Sequence, residues 1–182
     1  RLQVSLEPML AHDVIEDAAQ IVLPLAEQQG IALALPPAQA CALRFTGDYT
    51  RVKQILINLL GNAIKYNRPG GAVEVRCEAV GGRCRIGVVD TGIGIPASRL
   101  GELFQPFNRL GAESGSIEGT GVGLALTRKL VDLMHGELGV HSREGEGSAF
   151  WFELPLCEQA PAVRDEARAA AAPQALSRRH RV

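Results

Sequence analysis

The sequence predicts a mixed α/β domain. Three stretches carry apolar residues at helical spacing, and two pairs of alternating stretches are joined by glycine-bearing turns. These patterns interleave along the chain, as expected when helices pack on a sheet within one domain. At 182 residues the chain is long enough for one real core plus tails, and 46% hydrophobic with 21% charged residues is ordinary for a globular protein.

Residues 1–11 contain a Pro8 break and read as a connector. From His12 to Gln29, Val14, Ile15, Ala18, Ala19, Val22 and Leu25 recur at helical spacing; Pro24 predicts a kink and Gly30 a C-terminal cap. Ile31–Leu35 and Ala42–Phe45 are short strand candidates around Pro36 and Pro37. Asp48 is a good N-cap for a second helix over about 49–66, with Val52, Ile55, Leu56, Leu59, Leu60 and Ala63 as its buried stripe. Asn58, Asn62 and Lys65 follow i, i+4, i+7 spacing and share one edge of that stripe, at the border between core and solvent.

Residues 72–80 and 83–90 read as a hairpin turning at Gly81-Gly82. Its alternation puts Val73, Val75, Cys77 and Ala79 on one face with Cys84, Ile86, Val88 and Asp90. A carboxylate on that apolar side needs a partner. Pro96 to Phe107 reads as a short helix and turn, with Phe104 and Phe107 available for burial. Residues 108–118 are Gly/Ser-bearing and poor in apolar side chains, as expected of a lid. A third helix spans Thr120 to His135 with Gly136 as its cap, and 137–142 with 148–154 close the domain as a second hairpin. The domain therefore runs over 12–156, and the Ala/Arg-rich 157–182 reads as a flexible tail.

A net charge of −1 offers no global attraction for nucleic acid. No apolar run is long enough to span a membrane and no signal-peptide pattern opens the chain. Cys41, Cys77, Cys84 and Cys157 form no CxxC pair, and cross-strand counting makes Cys77 and Cys84 diagonal neighbours. They read as small reduced core residues, and a cytoplasmic setting follows. The chain starts at Arg1 and reads as a fragment, so the full-length protein has room for a membrane anchor.

Four segments carry candidate chemistry. Gly119-Thr120-Gly121-Val122-Gly123 opens a helix, where glycines admit phosphates close to the backbone and free N–H groups face them. The helix dipole adds only about 0.3–2 kcal/mol, so it assists without sufficing. Asn62 offers an amide oxygen to Mg²⁺, an ion that keeps several waters and takes phosphate oxygens as its other ligands. Lys65, one turn on, is placed to face phosphates. Asp90, before Gly92 and Gly94, accepts hydrogen bonds only, which suits the amino group of adenine and rejects the carbonyl of guanine. Together these point to Mg²⁺-ATP.

Asn58 to Tyr66, Asp90 to Gly94, Phe104 to Phe107 and Gly119 to Leu124 resemble, in order, the N, G1, F and G2 boxes of the ATP-binding catalytic domain of sensor histidine kinases. That family is similar to gyrase, Hsp90 and MutL. The resemblance spans about Leu6 to Leu156. It implies a two-layer α/β sandwich of the Bergerat type: a mixed five-stranded sheet, three helices on one face, and an ATP lid between the F and G2 segments. It implies that Asn62 binds Mg²⁺, that Asn58, Lys65 and Tyr66 line the phosphate side, and that Asp90 reads adenine with Gly92, Gly94 and Ile95 around it. Gly119, Thr120, Gly121, Val122, Gly123 and Leu124 hold phosphates and lid, and Ser148 supplies a hydroxyl near the base. From its position just beyond Phe107, Arg109 is placed to swing toward the γ-phosphate or a partner domain.

The ATPases of the wider group resemble one another in a Glu four residues before the metal-binding Asn. Here that position is Asn58, and an amide cannot act as a general base. Phosphoryl transfer by positioning and charge neutralisation is therefore expected in place of hydrolysis. The family's acceptor histidine lies in a motif on a dimerising helical hairpin. None of His12, His135, His141 or His180 has that context. The expected partners are ATP, a separate dimerisation domain bearing the acceptor histidine, and a response-regulator receiver domain. Two alternatives stand beside this reading: an ATPase of the wider group, and a catalytically silent ATP-binding regulatory module.

Overall fold

A computed structural model describes residues 3–105 and 122–157. Its elements in chain order are β1 (Glu7–Leu10), α1 (Ala11–Gln29), β2 (Ala32–Ala34), β3 (Arg44–Gly47), α2 (Tyr49–Lys65), β4 (Ala72–Val80), β5 (Arg83–Asp90), a 3₁₀ turn (Ala97–Glu102), α3 (Val122–Leu133), β6 (Glu137–Arg143) and β7 (Gly147–Pro155). Five strands form one sheet in the order β2-β4-β5-β7-β6. The β2–β4 pair is parallel and the other pairs are antiparallel, so the sheet is mixed, as expected.

The helices cover one face of this sheet. Ile55, Leu56, Leu59, Leu60 and Ile64 of α2 are fully buried against Val73, Val75, Ile86, Val88 and Phe152 of the sheet. Each such side chain stabilises the fold by about 1.5–3 kcal/mol relative to exposure. Asp48 begins α2 as its sequence position predicts: its Oδ1 accepts the Arg51 N–H at 3.2 Å. Its other oxygen accepts the Ser5 N–H at 2.8 Å, tying the start of the chain to the start of the helix.

Three details depart from the sequence reading. Residues 7–10, inside the stretch read as a connector, form β1, which pairs antiparallel with β3 and buries Met9. Gly136 does not occupy the left-handed position after α3; His135 does, at φ 61°. The two N–H groups of His135 and Gly136 bond back to Asp132 and Val131, closing the helix. Gly136 is small for another reason: a Cβ there would run into the Glu153 carbonyl and the Leu154 side chain. Leu103, not singled out beforehand, is fully buried, while Phe104 is half-buried with the Arg128 guanidinium over its ring.

Cys77 and Cys84 are indeed diagonal neighbours, with sulfurs 3.9 Å apart. Burial pushes the Cys41 thiol up to about 12, and the contact with Cys84 together with burial raises Cys77 as well. Both stay protonated near neutral pH, in keeping with a packing role. Among the described residues no helix is long and apolar enough to cross a membrane.

Candidate nucleotide site

The open end of β5, the last turns of α2 and the start of β7 meet around a cleft. Asn62, Ala63, Tyr66, Asp90, Ile93, Gly94, Ile95, Ser148 and Phe150 line it. Six of these were singled out from sequence. Ala63, Ile93 and Phe150 were not, and only their apolar character signalled burial. The lining is mostly apolar with a few convergent polar groups, the usual composition of a small-molecule site.

Asp90 sits at its floor. The alternation of β5 turns it toward the apolar side, opposite Val73 on β4 and Ser148 on β7. The partners that a buried carboxylate requires are backbone groups: its Oδ1 accepts the Gly92 N–H at 2.8 Å and the Ser148 N–H at 3.2 Å. Burial raises the Asp90 pKa, and these two hydrogen bonds partly offset the rise. The second carboxylate oxygen has no hydrogen-bond partner among the described residues.

The turn after Asp90 is held from three sides. Gly92 packs so closely on the Tyr66 carbonyl that a Cβ would collide with it. Gly94 adopts φ 70° and lies against the Arg143 carbonyl, a close approach that only glycine allows. Arg68, which sequence reasoning placed merely in a loop, donates to the carbonyls of Gly92 and Gly145 and so clamps the turn to the β6–β7 connection.

Asn62 lines the cleft, and its side-chain amide has no protein partner among the described residues. Asn58, one turn earlier, lies outside the cleft; its Nδ2 donates to the buried Thr127 hydroxyl on α3 at 2.8 Å. Gly123 abuts the Asn58 amide, and a Cβ there would collide with it. Lys65 is exposed at the end of α2 and does not line the cleft. Leu124 is buried in the core. Val122 begins α3, whereas Phe107, Arg109, Gly119, Thr120 and Gly121, with the expected lid and most of the tail, lie outside the described residues.

Residues 47–158 match the family model described as histidine kinase-, DNA gyrase B- and HSP90-like ATPase. The chain belongs to this family. Within it, the chain is 37% identical over 182 residues to the sensor histidine kinase GacS of Pseudomonas protegens, covering 94% of this chain and 19% of GacS. It is 44% identical over 144 residues to the circadian input-output histidine kinase CikA of Thermosynechococcus vestitus, covering 76% and 19%. The histidine kinase-like domain thus spans about a fifth of the length of these relatives. Among solved structures, it superposes on the catalytic domain of histidine kinase ThkA with a TM-score of 0.71 at 27% identity, covering 84% of this chain and 96% of that one. Full-length ShkA in complex with AMPPNP gives 0.74 at 31% identity, covering 87% and 33%. The two-layer fold and the ATP-binding domain of histidine kinases are therefore what this sequence encodes.

Proposed function

We propose that this domain binds Mg²⁺-ATP and delivers the γ-phosphoryl group to a histidine on a separate dimerising helical domain, for relay to an aspartate of a response-regulator receiver. ThkA, a structural neighbour at 25% identity and TM-score 0.68, has been crystallised in complex with its response regulator TrrA, which supports a receiver as partner. A cytoplasmic position accords with its ATP supply.

The residues present fit the metal. Asn62 lines the cleft, and its side-chain amide oxygen has no hydrogen-bond partner among the described residues. A cation that needs one protein oxygen and takes phosphate oxygens and water for the rest matches that supply. When bound, Mg²⁺ neutralises phosphate charge. Asp90 would then orient the base through its free oxygen.

The observation that carries phosphoryl transfer over hydrolysis is the Asn58–Thr127 hydrogen bond. At the position where the ATPases carry a glutamate, this chain has a neutral amide whose NH₂ is engaged by a buried hydroxyl. Such a group positions; it cannot accept a proton from water. The test mixes the chain with Mg²⁺-ATP alone and with a cognate helical-hairpin domain. The expected result is phosphohistidine on the hairpin, with no self-labelling and little phosphate release by the chain alone. Rapid steady-state phosphate release without the hairpin would establish the ATPase reading instead. ATP binding with neither activity would establish a silent regulatory module.

A further inference from the structure

Behind Asp90 lies a second hydrogen-bonded group, centred on Ser142. The Ser142 hydroxyl on β6 accepts the Ile95 N–H at 2.8 Å and donates to the Gly147 carbonyl at 3.0 Å. It also lies 2.7 Å from the hydroxyl of Ser148, a side chain that is 7% exposed and lines the cleft. A serine hydroxyl has one hydrogen and two lone pairs. Either hydroxyl can donate in the Ser142–Ser148 contact, but the one arrangement that satisfies all three Ser142 contacts at once has Ser142 donating to Gly147 and Ser148 donating its own hydrogen to Ser142. Its lone pairs are what it turns toward the cleft.

Ser148 and Asp90 are cross-strand partners, and the Ser148 N–H already occupies Asp90 Oδ1. The polar floor of the cleft therefore consists of acceptors: the remaining Asp90 oxygen and the Ser148 hydroxyl oxygen. Two acceptors side by side suit an exocyclic amine, which has two hydrogens, and oppose a carbonyl, which has none.

We infer that Ser142 is a specificity-determining positioning residue: by taking the Ser148 proton it fixes Ser148 as an acceptor and makes the site select a 6-aminopurine nucleotide over a 6-oxopurine one. This rests on the proposal that the cleft holds the base of ATP. Ser142 reaches no ligand itself. Without it, the Ser148 hydroxyl is free to rotate and donate into the cleft, which favours a 6-oxo group.

The test is calorimetric titration of the whole chain with Mg²⁺-ATP and Mg²⁺-GTP, for wild type, Ser142→Ala, Ser142→Thr and Ser148→Ala. The expected result is a preference of wild type for ATP that falls about tenfold in Ser142→Ala, with GTP binding tightening in absolute terms. Ser142→Thr, which retains the hydroxyl, restores the preference. A purely structural role for Ser142 would weaken both nucleotides together and leave their ratio unchanged, and that result overturns the inference. Should Ser142→Ala fail to fold, Ser148→Ala decides: loss confined to ATP supports an accepting Ser148, and a larger loss for GTP overturns it. A wild-type chain that binds both nucleotides equally defeats the underlying base-reading proposal, whereas an ATP preference unmoved by Ser142→Ala defeats only the role of Ser142.

Discussion

Asn58 Nδ2 donates to Thr127 Oγ1 at 2.8 Å, joining the middle of α2 to α3 through a hydroxyl that is 2% exposed. The bond fixes which end of the Asn58 amide faces Thr127 and leaves the carbonyl end against Gly123. We predict that Thr127→Val, which keeps the shape and removes the hydroxyl, leaves ATP affinity within about twofold but slows transfer to a separate hairpin domain by about tenfold or more, the scale expected when a catalytic group loses its alignment. Thr127→Ser should restore the rate. Single-turnover phosphohistidine formation beside calorimetric Kd values separates the two effects, and equal losses in both would show a general packing role.

Asp90 links pH to stability. Its raised pKa means that the folded domain holds the carboxyl proton more tightly than the unfolded chain does. Its contribution to stability is therefore fully present below the ordinary carboxylate range and is lost as pH rises through the raised value. Asp90→Asn keeps an oxygen for the Gly92 and Ser148 N–H groups and removes the buried charge. We predict a variant at least as stable as wild type in urea at neutral pH, with any advantage shrinking as the medium is acidified through the titration of Asp90. A variant clearly less stable at neutral pH would contradict this.

Gly94→Ala should be costly. The position holds φ 70°, and a Cβ would strike the Arg143 carbonyl, which belongs to backbone and cannot swing away. Left-handed strain alone costs about 1–2 kcal/mol, and the collision adds to it. Thermal unfolding should show a lower Tm, and nucleotide binding should weaken because the turn carries Ile93 and Ile95 into the cleft. A variant with wild-type Tm and affinity would show that the turn relaxes freely.

Asp48→Ala removes both the α2 cap and the acceptor for Ser5. A stability loss of about 1–2 kcal/mol is expected, with Asp48→Asn retaining most of the cap. Urea midpoints of the two variants test this; indistinguishable midpoints would assign no value to the cap.

Much of this architecture was legible because its signals are local. The α2 stripe and its Asp48 cap follow from residues within a few positions of one another, and the Val73–Asp90 register is counted outward from the Gly81-Gly82 turn. Alternation even required that Asp90 face inward and find partners. What escaped depends on distant contacts. β1 has only four residues, includes Pro8, and is defined by pairing with β3 across α1, so no local period marks it. Gly136 looked like a helix cap because glycine usually is one; here packing under β7 demands the small residue and His135 takes the strained position. Arg68, Thr127 and Ser142 are polar residues of ordinary appearance whose roles arise from partners 24 to 77, 69 and up to 47 positions away.

Whether Asp90 holds the base of Mg²⁺-ATP is decided by calorimetric titrations with ATP, with and without Mg²⁺, on folded wild-type chain and on Asp90→Asn. Binding to wild type should be enhanced by magnesium and should fall at least tenfold when the carboxylate becomes an amide, since a hydrogen bond to a charged group contributes about 1.5–3 kcal/mol. Undiminished ATP affinity in Asp90→Asn, or no heat of association with the wild-type chain, would contradict that role.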